Sequence, residues 1–384
     1  MISYLVTGAA GFIGANFVKF LIDKYNSDVN IIILDALTYA GHLETINDII
    51  ALPNVTFVKG DIGDYELVCH LLKEHNPDFV VNFAAESHVD RSITGPRVFI
   101  ETNVLGTQTL LDACREAWRK PDGTYAEGHR FLQISTDEVY GALPMDHDEP
   151  RPLEMTADVR RVCSHRTPPV TFGSQLFNEQ TPLAPRSPYS ASKASADMLV
   201  MAYHETFGLP VCITRCSNNY GPYQFTEKLI PLVITNILKG KRLPVYGKGL
   251  NVRDWLYVTD HARAIDLVLH NGATGQIYNI GGLNEKQNIS IVKEIIATVA
   301  NLIRQNPEYQ KISALTPDQI NDSLIEFVTD RPGHDLRYAI NPTKIARDLK
   351  WVPQTPFTEG IVMTDKWYLD NQQWVNSINK TSQP

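Results

Sequence analysis

Long apolar runs are missing from this chain: no stretch of about 18 consecutive apolar residues occurs, so no membrane-spanning helix is expected. Cysteine is scarce. The 5 present, Cys69, Cys114, Cys163, Cys212 and Cys216, are odd in number and lack the paired spacing of metal ligands. Neither a disulfide framework nor a metal site is expected, and a reduced, cytoplasmic setting fits that usage. Basic excess is absent too: 35 Lys and Arg stand against 43 Asp and Glu, a net charge of -8. Surfaces for nucleic acid or anionic membrane need concentrated cations, so both partner classes are disfavoured. The opening "MISYLVTGAAGFIG" has no basic segment and no cleavable apolar helix, so no leader is expected there. Internal repeats and low-complexity tracts do not occur, which argues against a solenoid.

Alternation is abundant. "SYLVTG", "NIIILDA", "VTFVKGD", "FVVNFAA" and "RFLQIST" are strand-like runs, each followed by an amphipathic stretch. This order predicts an α/β fold, a Rossmann-type doubly wound parallel sheet with helices on both faces. After Ile213 the order loosens, with strands at "LPVYG", "QIYNIGG" and "IEFVTD" among helices such as "SIVKEIIATVANLIR". The expected division is a Rossmann domain over 1–215, part of a smaller mixed α/β substrate-binding domain over 216–251, a return to the first domain over 252–283, and the rest of the smaller one over 284–384. The connector at 143–186 has no clear period and carries Pro144, Pro150, Pro152, Pro168, Pro169, Pro182 and Pro185. Such long structureless segments are uncommon in compact domains and are either lids or tolerated surface excursions.

Between the first strand and its helix lies "GAAGFIG", giving Gly8, Gly11 and Gly14. Glycines at this spacing permit a tight turn, let backbone N–H groups approach a pyrophosphate, and allow close packing of helix on strand. The second strand ends at Asp35, whose carboxylate can accept from both hydroxyls of an adenosine ribose and would repel the extra phosphate of NADP. NAD is the expected cofactor. Asp61 ends the third strand, where it could hold an adenine amino group or simply cap the helix "DYELVCHLL". Ala84 and Ala85 leave room where a dinucleotide needs it.

Two further patterns carry chemistry. In "SPYSASKAS", Tyr189 and Lys193 are four apart and share one helix face. An ammonium close to a phenol favours phenolate, so this pair predicts a base that removes a hydroxyl proton while hydride leaves the same carbon. In "RFLQISTDEVYGA" a buried strand runs into Thr136, Asp137 and Glu138. A solvated turn would account for most acidic pairs at strand ends, and the rest of the chain must decide whether this pair is an exception.

"TGAAGFIG" with "YSASK" resembles the extended short-chain dehydrogenase/reductase superfamily. "AAESHVDRSITGP", "ISTDEVYG", "CSNNYGPYQFTEKLIPL", "YGKGLNVRDWLYVTDHARA" and "DRPGHDLRYAI" are similar, within it, to the dTDP-glucose 4,6-dehydratase family. The resemblance runs from Ser3 to about Trp374. It implies a lyase that dehydrates dTDP-glucose in deoxysugar biosynthesis, with NAD oxidising carbon 4 and returning hydride to carbon 6. It implies Asp137 as acid, Glu138 as base, Thr136 and Tyr189 gripping the carbon 4 hydroxyl, and Lys193 beside them. It further places Phe12, Ile13, Thr38, Ile62, Thr102 and Asn219 against NAD. Ser87, Asn218, Lys228, Leu229, Pro244, Tyr246, Arg253, Asn288, Arg331 and Asp335 fall against the nucleotide sugar, the two arginines nearest its diphosphate end. Either arginine could instead be an ordinary ion-pair residue. A homodimer built on "PRVFIETNVLGTQTLLDACREAW" is implied as well. The connector departs from the family, which is shorter there, and adds Arg160, Arg161, His165 and Arg166. UDP-glucose as substrate, a nucleotide-sugar 4-epimerase and a silent NAD-binding regulator remain alternatives. An epimerase has no use for Asp137 and Glu138, and a silent protein would be expected to have lost Thr136, Tyr189 or Lys193.

Overall fold

The computed structural model describes residues 1–154, 157, 160, 169–330 and 333–381. Seven strands form the main sheet: β1 (Ile2–Thr7), β2 (Val29–Asp35), β3 (Val55–Lys59), β4 (Phe79–Asn82), β5 (Arg130–Thr136), β6 (Val211–Cys216) and β7 (Gln276–Ile280). Their order is β7-β6-β5-β4-β1-β2-β3 and every pairing is parallel. Strands buried on both faces need no polar face, which is why the Ile31–Leu34 run is wholly apolar and buried. Side chains nonetheless alternate: Tyr4, Val6, Ile31 and Ile33 join one core, Leu5, Ile32 and Leu34 the other.

The first core is covered by α1 (Phe12–Tyr25) and by the helix Val258–Asn271; the second by α2 (Tyr65–His75), α3 (Thr107–Trp118) and α4 (Pro188–Phe207). With that last addition the Val258–Asn271 helix is α5. Winding reverses between β1 and β4, so a crevice opens beyond the carboxyl ends of these two strands. A third core, around Ile230, Ile234, Ile291, Ile295, Phe357 and Tyr368, lies among the helices Leu229–Leu238, Asn288–Gln305 and Phe357–Asp370. Joined to it are a three-stranded sheet of Asn218–Tyr220, Val252–Tyr257 and Glu285–Gln287, and a parallel pair of Leu243–Tyr246 with Ile325–Val328.

One expected helix is not regular. Between Arg97–Phe99 and α3 the chain forms a π-helical stretch, Ile100–Gly106. The Asn103 side chain within it accepts from Glu86 N at 2.9 Å and donates to Glu86 O at 3.0 Å and to Ser192 Oγ at 2.8 Å. The wider turn places a side chain where three segments meet, the usual setting of such insertions. The connector is tied at both described ends by a short antiparallel pair, Arg151–Pro152 with Val170–Thr171. Arg161, His165 and Arg166 lie outside the described residues, as does Arg331; Arg160 is exposed.

Candidate active site

At the end of β1 the chain turns through Gly8, with φ +68, and a Cβ there would sit 2.6 Å from Ala84 N. A Cβ on Gly14 would meet Gly8 O at 2.5 Å, so α1 can approach the turn only with glycine at this position. Gly11 caps α1 without any side-chain bond, and the first turn has no acidic residue. Its N–H groups and the positive end of its dipole are therefore left for an anion. Asp35 closes β2; its Oδ2 accepts from Ala10 N and its Oδ1 from Leu37 N, each at 2.8 Å. Each oxygen keeps a lone pair for a ribose hydroxyl. A dinucleotide without a ribose phosphate fits these residues. Asp61 Oδ1 accepts from Gly63 N at 2.7 Å, while the cap of α2 is Asp64, which accepts from Leu67 N. The capping alternative for Asp61 therefore belongs to its neighbour.

These groups line one cavity at the carboxyl ends of the strands, together with Phe12, Ile13, Thr38, Ile62, Ala84, Ala85, Thr102 and Asn219. Its far wall carries Thr136, Glu138, Tyr189, Lys193, Ser87, Asn218 and Lys228. Asp137, between Thr136 and Glu138 in the chain, is buried and is not itself among the lining residues. Leu229, Pro244, Tyr246, Arg253, Asn288 and Asp335 are not among the residues lining the cavity. Arg253 is buried with its guanidinium on the carbonyls of Val252 and Asp335, at 2.8 and 2.9 Å, and over the Tyr338 ring. Tyr246 is exposed. A second cavity lies at the opposite, amino ends of β4 and β5, between Phe79, His129 and Phe207, and contains none of the predicted residues.

Local sequence explains the positions of the reactive groups. Ser187 and Ser190 form a reciprocal capping box, each Oγ accepting from the other's backbone N–H at 3.0 Å, with Pro188 at the first helical position. Tyr189 and Lys193 thus fall in the opening turns of α4. Lys193 Nζ donates to Ile134 O at 2.6 Å, locking the ammonium against the end of β5. Thr136 ends β5 and caps a short turn, its Oγ1 accepting from Glu138 N at 3.3 Å and donating to Asp137 Oδ1 at 3.4 Å.

Burial distinguishes the two carboxylates, Asp137 being buried and Glu138 half-buried. Burial pushes Asp137 well above the usual carboxylate range, and Glu138 and Asp254 push it further. Its Oδ2 has no partner among the described residues. It is a proton donor by environment. For Tyr189 the expected lowering is not found: burial and then the Glu138 carboxylate push its phenol well up, and burial pulls Lys193 down. The cause is desolvation, which disfavours both charged forms where the sequence considered only their mutual attraction.

Glu227, Tyr39, Glu86 and Gln224 also line the cavity and were not anticipated. Glu227 faces His88 at 3.5 Å and Arg91 at 3.6 Å, and burial raises its carboxyl. Its only sequence signal was adjacency to Lys228 in "TEKL". Tyr39, 48 residues from its hydroxyl partner Ser87, offered none.

Residues 4–281 match the NAD dependent epimerase/dehydratase family. The dTDP-glucose 4,6-dehydratase of Xanthomonas campestris pv. campestris (strain B100) is 49% identical over 378 residues, 98% of this chain and 96% of that protein. A Bacillus anthracis dTDP-glucose 4,6-dehydratase solved with NAD superposes at TM-score 0.78 with 44% identity, covering 98% of this chain and 100% of that one. One from Streptomyces venezuelae, solved with NAD and dTDP, gives TM-score 0.79 with 41% identity and the same coverage.

Proposed function

The chain belongs to the NAD dependent epimerase/dehydratase family, and from that premise we propose that it dehydrates dTDP-glucose to dTDP-4-keto-6-deoxyglucose with NAD as its cofactor. The observation that carries the reading is the adjacent carboxyl pair at the end of β5: a buried Asp137, raised by its surroundings toward the protonated form, and a cavity-lining Glu138. Oxidation alone uses neither.

The residues divide the work. Thr136 and Tyr189 hold the carbon 4 hydroxyl, and Tyr189 takes its proton; Lys193, fixed on Ile134 O, lines the same cavity four residues on in the helix. Bound in its oxidised form, NAD supplies the acceptor and later donor of hydride, and a positive ring that favours the Tyr189 phenolate. The carbon 4 ketone makes the carbon 5 hydrogen acidic. Glu138 removes that proton, Asp137 gives its own to the carbon 6 hydroxyl, and water departs. Glu138 then returns a proton to carbon 5, and Asp137 is reprotonated from the proton that Tyr189 removed. The net loss is one water. Arg253, Asp335, Pro244, Tyr246, Leu229 and Asn288 are assigned to the nucleotide end, where a bound sugar nucleotide would reach beyond the cavity wall; Arg331 keeps its assignment from the sequence alone.

Two finer statements belong to the same proposal. Val98, Ile100, Leu105 and Met198 are exposed apolar side chains on the 97–118 helical segment and on α4, which pack together; they support a homodimer through this face. Four described cysteines, Cys69, Cys114, Cys212 and Cys216, are free thiols, which supports a reducing, cytoplasmic setting. Among the described residues no helix is long and apolar enough to cross a membrane. The test of function is product analysis after separate incubation with dTDP-glucose and UDP-glucose. A 4-keto-6-deoxy product from the first is expected; recovery of a carbon 4 epimer, or of unchanged sugar from both, would overturn the reading.

A further inference from the structure

His261 lies on α5, wholly buried, 42 residues from the asparagine that it touches. Its Nδ1 is 2.9 Å from Asn219 Oδ1. Asn219 Nδ2 sits 2.9 Å from Ser217 O and 3.4 Å from Cys216 Sγ. A carbonyl oxygen only accepts, so the amide nitrogen must be the group facing Ser217. It follows that Oδ1 faces His261, and that His261 donates through Nδ1–H. Nε2 is buried and has no partner among the described residues, so nothing there stabilises a second ring proton and the imidazole is neutral, with its lone pair on Nε2. Burial drives its pKa down to about 3, in keeping with that tautomer. Cys216 continues the series by donating to Ser135 O at 3.4 Å, one residue before Thr136.

We propose that His261 is a positioning residue for the nicotinamide end of the cofactor, acting through Asn219 and Cys216, both of which line the cavity beside Lys193. Both amide hydrogens of Asn219 are committed to the protein, so toward the cavity its side chain offers one Oδ1 lone pair and no donor. That wall recognises an N–H group, as a carboxamide nitrogen would present. Without the His261 hydrogen bond the Asn219 amide is held only through Nδ2, and Oδ1 loses the contact that fixes its direction. The inference rests on the NAD-dependent reading above.

The test uses the holoprotein and two substitutions. His261→Phe fills the space but has no donor; His261→Asn keeps an N–H close to the Nδ1 position. Loss of one net hydrogen bond predicts that His261→Phe releases NAD roughly ten-fold faster, with His261→Asn close to the parent. Release is measured by cofactor retained after gel filtration, alongside a thermal melt. Equal loss from both variants, or parental retention in both with only a lower melting temperature, would make His261 a space-filling residue and end the proposal. Nitrogen-15 NMR of histidine-labelled parent gives a second measurement that needs no variant: the proton is expected on Nδ1, and finding it on Nε2 overturns the inference. A parent that carries no NAD would instead overturn the functional reading on which this rests.

Discussion

Asp137 and Glu138 share a peptide bond and have opposite surroundings. Asp137 is buried, and burial, then Glu138 and Asp254, raise its carboxyl; Glu138 lines the cavity. Changing Glu138 to Gln keeps size and polarity and removes the base. Oxidation at carbon 4 should persist while elimination stalls, so reduced nicotinamide absorbance should build up and solvent deuterium should not enter carbon 5. Dehydration at the parental rate would refute this role. Asp365 is a different case: it is fully buried beside the third core, neither oxygen has a partner among the described residues, and burial, then Glu294, hold its carboxyl well above the usual range. Its folded pKa exceeds its unfolded one, so its contribution is most favourable below the unfolded value of about 4 and is lost as pH rises toward the folded value. Asp365→Val should therefore stabilise by about 1–3 kcal/mol at neutral pH, with a larger gain in melting temperature at pH 8 than at pH 5.

At the scale of elements, one side chain ties the connector to the small sheet. Arg337 is wholly buried and pairs with Glu285 through Nε and Nη2, at 2.8 and 2.9 Å. The same guanidinium donates to Thr171 Oγ1 and to the carbonyl of Gln175, both at 2.9 Å, and Thr171 Oγ1 donates to Glu285 at 2.8 Å. One strand of the connector is thereby fixed to Glu285–Gln287. Removing only the cation leaves a buried carboxylate, so Arg337→Met should cost about 3–5 kcal/mol. The Arg337→Met/Glu285→Leu double variant should recover part of that loss, a coupling readable in thermal melts with NAD saturating. Additive losses would mean that the pair is not the anchor. The π-helical stretch before α3 follows the same logic, since one wide turn delivers Asn103 to Glu86 and Ser192.

For the whole molecule, the exposed apolar face of the 97–118 segment and α4 predicts association. A Leu105→Glu/Met198→Glu variant should sediment at half the parental mass, because it places charge in an interface that the proposal makes apolar. A parent that sediments as a monomer would dispose of the dimer.

The sequence by itself determined the parallel sheet, since strands buried on both faces must be written as apolar runs and these were visible as such. It also located the turn after β1, the Asp35 carboxylate, the α4 pair and the Thr136–Glu138 triplet, because each is a local pattern whose spacing carries its geometry. Tertiary structure decided what depends on environment or on distant partners. Tyr189 is pushed up rather than down because desolvation by surrounding segments outweighs one ammonium. Asp64 rather than Asp61, three residues earlier, caps α2, since only the residue just before Tyr65 reaches the free N–H groups of the first turn. Tyr39, Glu227 and His261 reach the site only when strands and helices far apart in the chain converge at the crevice between β1 and β4, and a linear pattern has no term for that convergence.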